Sequence, residues 1–275
     1  MELFIKIIIF VLGASLGSFY ACIGYRIPNK ISTVSPGSFC PKCKNSLKWY
    51  MNIPLLSYLF LGGKCAYCKE KISIRYFLIE LLTALCFLGS YILFGFTKDF
   101  IILIVLVSAL MITLVTDLEY FYISDRVIVI SSLIILLVYL YFDGISYASK
   151  SLLSGILMFL MVLLLKIVTS KIYKKETLGD GDIKLSFLIG LTLQVFNTLI
   201  CLFISSVLAI FVNLLFLKKS KEEIIPFGPF LLMGTIITYL LEFYKLLINF
   251  LNVLVLEYIF CYTFISLIVE GGHKI

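Results

Sequence analysis

Long apolar runs separated by short charged segments dominate the chain and predict membrane-spanning helices. A bilayer span needs about 20 mostly apolar residues, and the chain offers candidates at 3–25, 76–97, 100–118, 126–142, 149–170, 183–197, 199–217, 224–243 and 246–269. The uncharged stretch from Leu185 to Leu217 is too long for one straight span, so we divide it at a turn near Gln194–Thr198. Glu257 interrupts the last candidate. The sequence therefore predicts an all-α polytopic membrane protein with eight or nine transmembrane helices.

Basic residues concentrate in alternate loops, which predicts the orientation of the chain. The longest loop, 26–75, holds nine basic residues and one acid, Glu70. Further basic loops carry Arg126, then Lys171, Lys174, Lys175 and Lys184, then Lys218, Lys219 and Lys221. The intervening loops, 96–99 and 143–149, and the turn near residue 196 are short and poor in positive charge. Because positive loops stay in the cytoplasm, we expect them there, and the amino terminus outside.

Composition supports the same class. The chain is 61% hydrophobic and 14% charged, with a mean hydropathy of +1.10, whereas a soluble domain is about half apolar and a quarter charged. Lipid is therefore an expected partner. The net charge of +7 is accounted for by loop 26–75, which lacks an aromatic ladder for base stacking, so we expect no nucleic acid. The run 7–25 resembles a signal peptide, but the chain stays hydrophobic beyond it, which favours a retained helix.

Loop 26–75 contains two Cys-x-x-Cys motifs, Cys40–Cys43 and Cys65–Cys68. Two such motifs are typical of a zinc ribbon, because each turns two thiolates toward one point and four thiolates complete a tetrahedron. A closed four-sulfur site predicts a structural zinc. Two disulfides are the alternative, which a reducing cytoplasm disfavours. The remaining cysteines are interpreted as small packing residues: Cys22, Cys86, Cys201 and Cys261.

Two carboxylates at the predicted cytoplasmic ends of spans are candidates for catalysis. The predicted topology puts Asp99 and Asp143 outside, and Asp117, Glu119, Asp125, Glu176, Asp180 and Asp182 at the cytoplasmic side. Asp117 ends one apolar run, and Asp182 precedes another within a segment whose glycines, Gly179 and Gly181, permit close backbone approach. Two carboxylates held close together cannot both ionise, so one retains a proton while the other activates a water. This pattern predicts aspartic peptidase chemistry.

Each acid also has a structural interpretation. Asp125 follows Ser124 just before a span, where helix N-capping accounts for it. Asp180 is interpreted as a residue that stabilises the turn before the helix. Asp117 and Asp182 could both be ordinary helix-end acids, and the residue physics alone leaves that open.

Several motifs resemble those of the prepilin peptidases, also called type IV leader peptidases. The segment from Gly179 to Lys184 resembles their GxGD motif, and Thr116-Asp117 through Ser124-Asp125 resembles the pattern around their first aspartate. Further similarity covers Gly17-Ser18-Phe19 with Arg26 and Pro28, the two cysteine pairs, Asn52-Ile53-Pro54 with Ser57-Tyr58, Arg75-Tyr76 with Glu80, and Pro226-Phe227-Gly228-Pro229. The motifs occur in the family's order across residues 10–240.

This resemblance implies a function. Such enzymes cut a short basic leader after a glycine, on the cytoplasmic side of the inner membrane, from type IV prepilin or pseudopilin precursors. Carried over by motif, Asp117 and Asp182 are the catalytic pair, with Gly179, Gly181 and Lys184 as supporting motif residues. The resemblance divides residues 1–245 into a methyltransferase-associated portion (1–97) and a peptidase domain (98–245). Residues 246–275 match none of the family's motifs and are interpreted as an additional helix.

The resemblance also implies a second activity, methylation of the freed amine with S-adenosylmethionine. The candidate residues are Arg26, Arg75 and Glu80. For Glu80 a salt bridge with Arg75 is the structural alternative. The family often has Asn where Ala21 stands and Pro where Ser124 stands; neither departure touches the catalytic pair, but Ala21 weakens the prediction of methylation.

Two rival functions are compatible with buried acids. An ion-coupled transporter with a zinc-binding regulatory loop would place its acids near mid-span, whereas Asp117 and Asp182 lie at span ends. An intramembrane peptidase that cuts transmembrane helices would not explain the cysteine loop or the first-helix motif.

Overall fold

A computed structural model describes residues 1–174, 178–216 and 226–244. Within those residues it contains eight α-helices, one short 3-10 helix and no β-strand beyond two isolated bridges. The helices are α1 (Glu2–Arg26), α2 (Leu56–Phe60), α3 (Ile74–Phe94), α4 (Lys98–Tyr120), α5 (Asp125–Phe142), α6 (Gly144–Tyr173), α7 (Asp180–Phe216) and α8 (Gly228–Tyr244), with the 3-10 helix at Trp49–Asn52. The predicted all-α fold is confirmed.

Six of the described helices are long and apolar enough to cross a membrane: α1, α3, α4, α5, α6 and α7. The backbone of α7 breaks at Gln194, where φ is 61° and ψ is 173°, so the predicted division of the 185–217 stretch is confirmed. The shorter apolar helix α8 lies within the candidate span 224–243. The candidate span 246–269 and the basic residues Lys175 and 218–221 lie outside the described residues.

Helix α4 is the most enclosed of the six spans. Of its apolar window 72% is buried, against 39% or less in the others. Glycines let α1 pack closely on its neighbours: a Cβ at Gly17 would lie 2.8 Å from the Glu80 Cα on α3, and one at Gly24 would lie 2.5 Å from the Val115 Cβ on α4. Side chains would prevent this approach, so these contacts hold the amino-terminal helix against α3 and α4.

The carboxyl end of α4 is closed by a left-handed residue. Phe121 has φ 49°, and its N–H bonds to the carbonyl of Asp117 while that of Tyr122 bonds to the carbonyl of Thr116. The bond from Phe121 to the carbonyl four residues earlier is the αL cap, whose left-handed residue is usually glycine, and a bulky residue in this region is strained. The stop leaves Asp117 in the last turn of the helix.

The chain divides into two units, Met1–Ile236 and Ile237–Ile275. Of the second unit the structure describes residues 237–244, which form the end of α8. All the site residues described below belong to the first unit.

Candidate active site

Asp117 is buried at the end of α4 and is held by a main-chain donor. Its side chain is 5% exposed, and its Oδ2 accepts a hydrogen bond of 3.1 Å from the N–H of Gly228, the first residue of α8. A Cβ at Gly228 would lie 2.9 Å from that oxygen. Only glycine at position 228 allows this close approach to Asp117. The amino terminus of α8 directs a main-chain N–H at the carboxylate, and helix amino termini stabilise negative charge.

Asp182 lies in the first turn of α7 and shares its neighbourhood with Asp117. The two carboxyl groups are near enough for the charge of Asp117 to act on Asp182. Ile123, in the turn after α4, lies against the glycine next to each acid: a Cβ at Gly181 would lie 2.8 Å from the Ile123 Cβ, and one at Gly228 would lie 2.7 Å from its Cδ1. The structure thus brings together the two predicted catalytic acids where α4, α7 and α8 converge.

The other acids near this point form ion pairs. Asp125 is the first residue of α5 and makes no side-chain capping bond; it pairs with Lys184 at 2.7 Å. The N-cap interpretation of Asp125 is therefore wrong, and Ser124 occupies the cap position. Asp180 pairs with Lys166 of α6. These pairs connect the start of α7 to α5 and α6 on either side of Asp182.

The four cysteines of loop 26–75 form one cluster. Their sulfur atoms all lie within 4.8 Å of one another, and Cys40 Sγ is 3.9 Å from Cys68 Sγ. A tetrahedral zinc–sulfur site has edges of about 3.8 Å, given Zn–S bonds of about 2.3 Å. Cys40, Cys43, Cys65 and Cys68 are all free thiols. The four sulfur ligands and the distances between them therefore fit a bound zinc ion, and they do not fit two disulfides.

The two cysteine pairs adopt one repeated turn. Isolated bridges join Phe39 to Ser46 and Lys64 to Lys71, and Lys44 and Lys69 both take φ 60°. The sequence analysis missed this repeat because it rests on the short pattern Cys-x-x-Cys-Lys.

Backbone donors and neighbouring sulfur atoms shift the pKa values of two cysteines in the cluster in opposite directions. The N–H groups of Cys68 and Tyr67 donate to the Cys65 sulfur and lower the pKa of Cys65 to about 7. At Cys68 the N–H of Glu70 acts in the same sense, but partial desolvation and the neighbouring sulfurs outweigh it and raise the pKa of Cys68 to about 11. Without a cation Cys68 therefore keeps its proton at neutral pH, and a metal ion bound by the four sulfurs would remove it.

Glu80 is a second buried carboxylate, 9% exposed, in the second turn of α3. Its Oε2 accepts a hydrogen bond of 2.7 Å from the N–H of Leu55, and Ser18 lies beside it. Leu55 takes φ 63°, a strained conformation for a leucine. The loop therefore adopts an unfavourable backbone in order to satisfy this carboxylate.

Arg26 and Arg75, the two predicted basic partners, do not pair with Glu80. Arg26 is 4% exposed and donates to the carbonyls of Ser32 and Gly37, both at 2.9 Å. Arg75 pairs with Glu119 at 3.1 Å. The structural alternative for Glu80, a salt bridge with Arg75, is therefore wrong, and Arg26 holds the backbone of the loop.

Glu80 opens onto a cavity of about 370 Å³ between loop 26–75 and the helices α1 and α3. Polar groups on its wall include Ser18, Arg26, Asn52, Tyr58, Tyr76 and Glu80. A neighbouring cavity of about 380 Å³ shares Ser18, Cys22, Arg26, Ser38 and Asn52 with the first. Small-molecule sites usually start near this volume. Sequence reasoning found Glu80 but missed Leu55, whose role depends on a backbone angle; its only signal was the neighbouring Asn52-Ile53-Pro54 motif.

Comparison with known proteins finds two family matches in tandem. Residues 11–94 match the Bacterial Peptidase A24 N-terminal domain, and residues 104–214 match the Type IV leader peptidase family. No solved structure matches the chain.

Curated relatives align with most of the chain. The prepilin leader peptidase/N-methyltransferase of Bacillus subtilis is 33% identical over 85% of this chain and 93% of its own. The proteins of the same name from Vibrio cholerae (29% identical; 87% of this chain, 98% of its own) and Pseudomonas aeruginosa (30%; 80% and 85%) are similar. The resemblance noted in the sequence is confirmed: the chain is a multi-pass membrane enzyme that belongs to the type IV leader peptidase family.

Proposed function

We propose that this protein is a membrane aspartic peptidase that removes the leader from type IV prepilin or pseudopilin precursors. The observation that carries the proposal is the position of Asp117 and Asp182 beside two glycines, Gly228 and Gly181, that both lie against Ile123. The relatives' name supports the substrate class.

The geometry suggests a role for each acid. The N–H of Gly228 points at the Asp117 carboxylate and stabilises its negative charge, so Asp182 holds the shared proton. A water between the two acids attacks the scissile carbonyl carbon and gives its proton to Asp117, while Asp182 donates to the carbonyl oxygen. When the C–N bond breaks, Asp117 gives its proton to the leaving amine nitrogen, and a hydroxyl of the tetrahedral intermediate returns a proton to Asp182 as the carbonyl re-forms.

Cleavage of a synthetic prepilin in detergent tests this proposal. The Asp182→Asn variant keeps the shape of the side chain but cannot hold the shared proton, so we expect cleavage to fall by about 10³-fold or more. Asp180→Asn is the matched control, since Asp180 lies two residues away and pairs outward with Lys166. Near-normal cleavage by Asp182→Asn would contradict the assignment.

Methylation of the new amino terminus is the second proposed activity, and the Glu80 cavity supports it. The cavity has the volume of a small-molecule site and a polar wall, and S-adenosylmethionine bound there would supply the methyl group. Glu80, fixed by the Leu55 N–H, attracts the cationic amine and accepts its proton. Asn52 and Tyr76 line the same cavity and are placed to bind polar groups of the donor.

The mass of the mature peptide measures this step. In the Glu80→Gln variant we expect leader cleavage near wild type and no added methyl. Glu70→Gln is the control, since Glu70 also lines the cavity but is exposed and pairs with Lys42. Loss of cleavage and methylation together would make Glu80 structural.

The four-cysteine cluster would hold zinc through Cys40, Cys43, Cys65 and Cys68, and the zinc ion would cross-link the loop.

We further propose that residues 1–97 carry out methyl transfer and residues 98–245 carry out cleavage. Both sites face the cytoplasm from the inner membrane. The basic loop 26–75 supports this orientation. Labelling of Lys48 and Lys64 from the inner side alone in intact membranes would test it.

A further inference from the structure

One stretch of loop 26–75 differs sharply from the rest of that loop. Residues 49–63 carry no charged side chain, although Lys48 precedes them and Lys64 follows. The stretch contains the 3-10 helix and α2. It also contains Trp49, the single tryptophan of the chain, which is 80% exposed.

Helix α2 has two different faces. Leu56, Leu59 and Phe60 are 49%, 62% and 85% exposed, and their i, i+3, i+4 spacing puts them on one side. Nothing in the described part of the chain covers that apolar side. The other side, formed by Ser57, Tyr58 and Leu61, lines the Glu80 cavity.

The depth of α2 is fixed by its contacts with α3. The Tyr58 ring lies 5.3 Å from that of Phe77, and the Leu55 N–H reaches Glu80. Phe77 and Glu80 are the fourth and seventh residues of α3, so these contacts lie about 4.5 and 9 Å from the start of the helix at 1.5 Å per residue. Helix α2 therefore lies beside the first two turns of a membrane span.

We propose that α2 is an interfacial helix whose Leu56, Leu59 and Phe60 face inserts into the headgroup–acyl boundary of the adjoining leaflet. Interfacial helices bury their apolar side about 5–10 Å into the headgroup–acyl boundary, a depth similar to the distances of Phe77 and Glu80 from the start of α3.

The flanking residues suit the same boundary. Tryptophan and tyrosine favour it, and Trp49 and Tyr50 are both exposed just before α2. Lys48 and Lys64 at the two ends complement lipid phosphates. The membrane spans α1 and α3 flank loop 26–75 and hold it at the membrane surface. Lipid is therefore always close enough to contact α2.

Insertion has a structural consequence for the cavity. Lipid contact on one side of α2 presses Ser57 and Tyr58 toward α3 and keeps the strained Leu55 N–H on Glu80. The membrane therefore forms the outer support of one cavity wall, whichever reaction the cavity serves.

Fluorescence quenching in lipid nanodiscs tests this proposal. In a Trp49→Phe background, Phe60→Trp puts the sole tryptophan on the apolar face. We expect lipids brominated near the glycerol end of their acyl chains to remove most of its emission, and aqueous acrylamide to quench it poorly. Tyr67→Trp, in the lysine-rich second cysteine pair, is the control and should respond in the opposite way. Prepilin cleavage by each variant confirms folding.

Three results would overturn the proposal. One is emission from Phe60→Trp that acrylamide quenches and bromine does not. Another is a signal that becomes shielded only when prepilin is added, which would make a protein helix the occupant. The third is equal bromine quenching of both variants, which would mean that the whole loop lies in lipid. If Phe60→Trp does not fold, Leu59→Trp takes its place and is judged by the same results.

Discussion

Glu80 and Asp117 are two buried carboxylates on neighbouring helices, and they are held in the same way. Each accepts a hydrogen bond from a main-chain N–H remote in sequence, 25 residues away for Glu80 and 111 for Asp117. They differ in what lies next to them. Asp117 faces a second acid, Asp182, whereas Glu80 faces a cavity with hydroxyl and amide groups.

This difference separates two kinds of chemistry. A pair of acids can share a proton and so serve as acid and base in one step. A single fixed carboxylate beside a cavity can attract and orient a cation, such as an amine. As we propose, a carboxylate held by a main-chain N–H therefore serves cleavage at one site and group transfer at the other.

The largest expected effect is a clean separation of the two activities. Asp117→Asn should lower prepilin cleavage by about 10³-fold or more, because the amide cannot accept the proton of water. The same variant should still methylate a peptide supplied without its leader. Glu80→Gln should show the reverse, and mass spectrometry of both products measures the two rates.

Asp125→Asn serves as the control for this separation and should retain substantial cleavage, since its ion pair with Lys184 is exposed. An inactive Asp125→Asn together with an active Asp117→Asn would mean that the catalytic pair is misassigned. A single substitution that stops both activities would show that the two sites are not independent.

The approach of Gly228 to Asp117 should be the next most sensitive feature. In Gly228→Ala the new Cβ would meet Asp117 Oδ2 at 2.9 Å and Ile123 Cδ1 at 2.7 Å, so the acid must move. A displacement of about 1 Å can cost about 10²-fold in rate, and we expect a loss of that order in cleavage with methyl transfer unchanged. Gly89→Ala, where the Cβ meets nothing within 4 Å, is the neutral control. Equal rates for both variants would contradict a catalytic role for this contact.

Zinc should matter more for stability than for chemistry. Cys68→Ser removes one of four ligands, and metal binding contributes directly to the folding free energy of such loops. We expect metal analysis to fall from one zinc per chain toward none and the melting temperature to drop by about 10 °C, at about 2–4 °C per kcal/mol. Cys86→Ser, in α3 and outside the cluster, is the control. An unchanged melting temperature in a zinc-free, active protein would show that the site is dispensable.

Sequence reasoning succeeded where the signal was local. The span predicted at 126–142 is the helix Asp125–Phe142, and the break predicted near Gln194 occurs there, because length and polarity along the chain determine both. The cysteine cluster was equally accessible, since Cys-x-x-Cys spacing fixes its geometry.

Partners across the fold could not be predicted from local signals. Asp125 was interpreted as a cap because it stands at a helix start, yet its partner, Lys184, lies 59 residues away. The donor to Glu80 is a backbone N–H, and every residue but proline has one, so no side-chain pattern marks Leu55. Such pairings depend on how the helices pack.

The smallest effect should come from Arg75, and it bears most directly on how separate the two sites are. Arg75 joins α3 to the end of α4 through Glu119 at 3.1 Å, and both side chains are partly exposed. Such pairs contribute about 0–1 kcal/mol. A double-mutant cycle of Arg75→Gln and Glu119→Gln should therefore give a salt-sensitive coupling within that range.

Because Arg75 pairs with Glu119 and not with Glu80, methyl transfer in Arg75→Gln should stay within about fivefold of wild type, which corresponds to about 1 kcal/mol. Glu119→Gln should behave alike, since it breaks the same contact. If Arg75→Gln abolishes methylation while Glu119→Gln does not, the arginine acts on the methyl donor itself. The site around Glu80 would then extend to the α3–α4 junction, two residues from Asp117, and the two chemistries would share a wall.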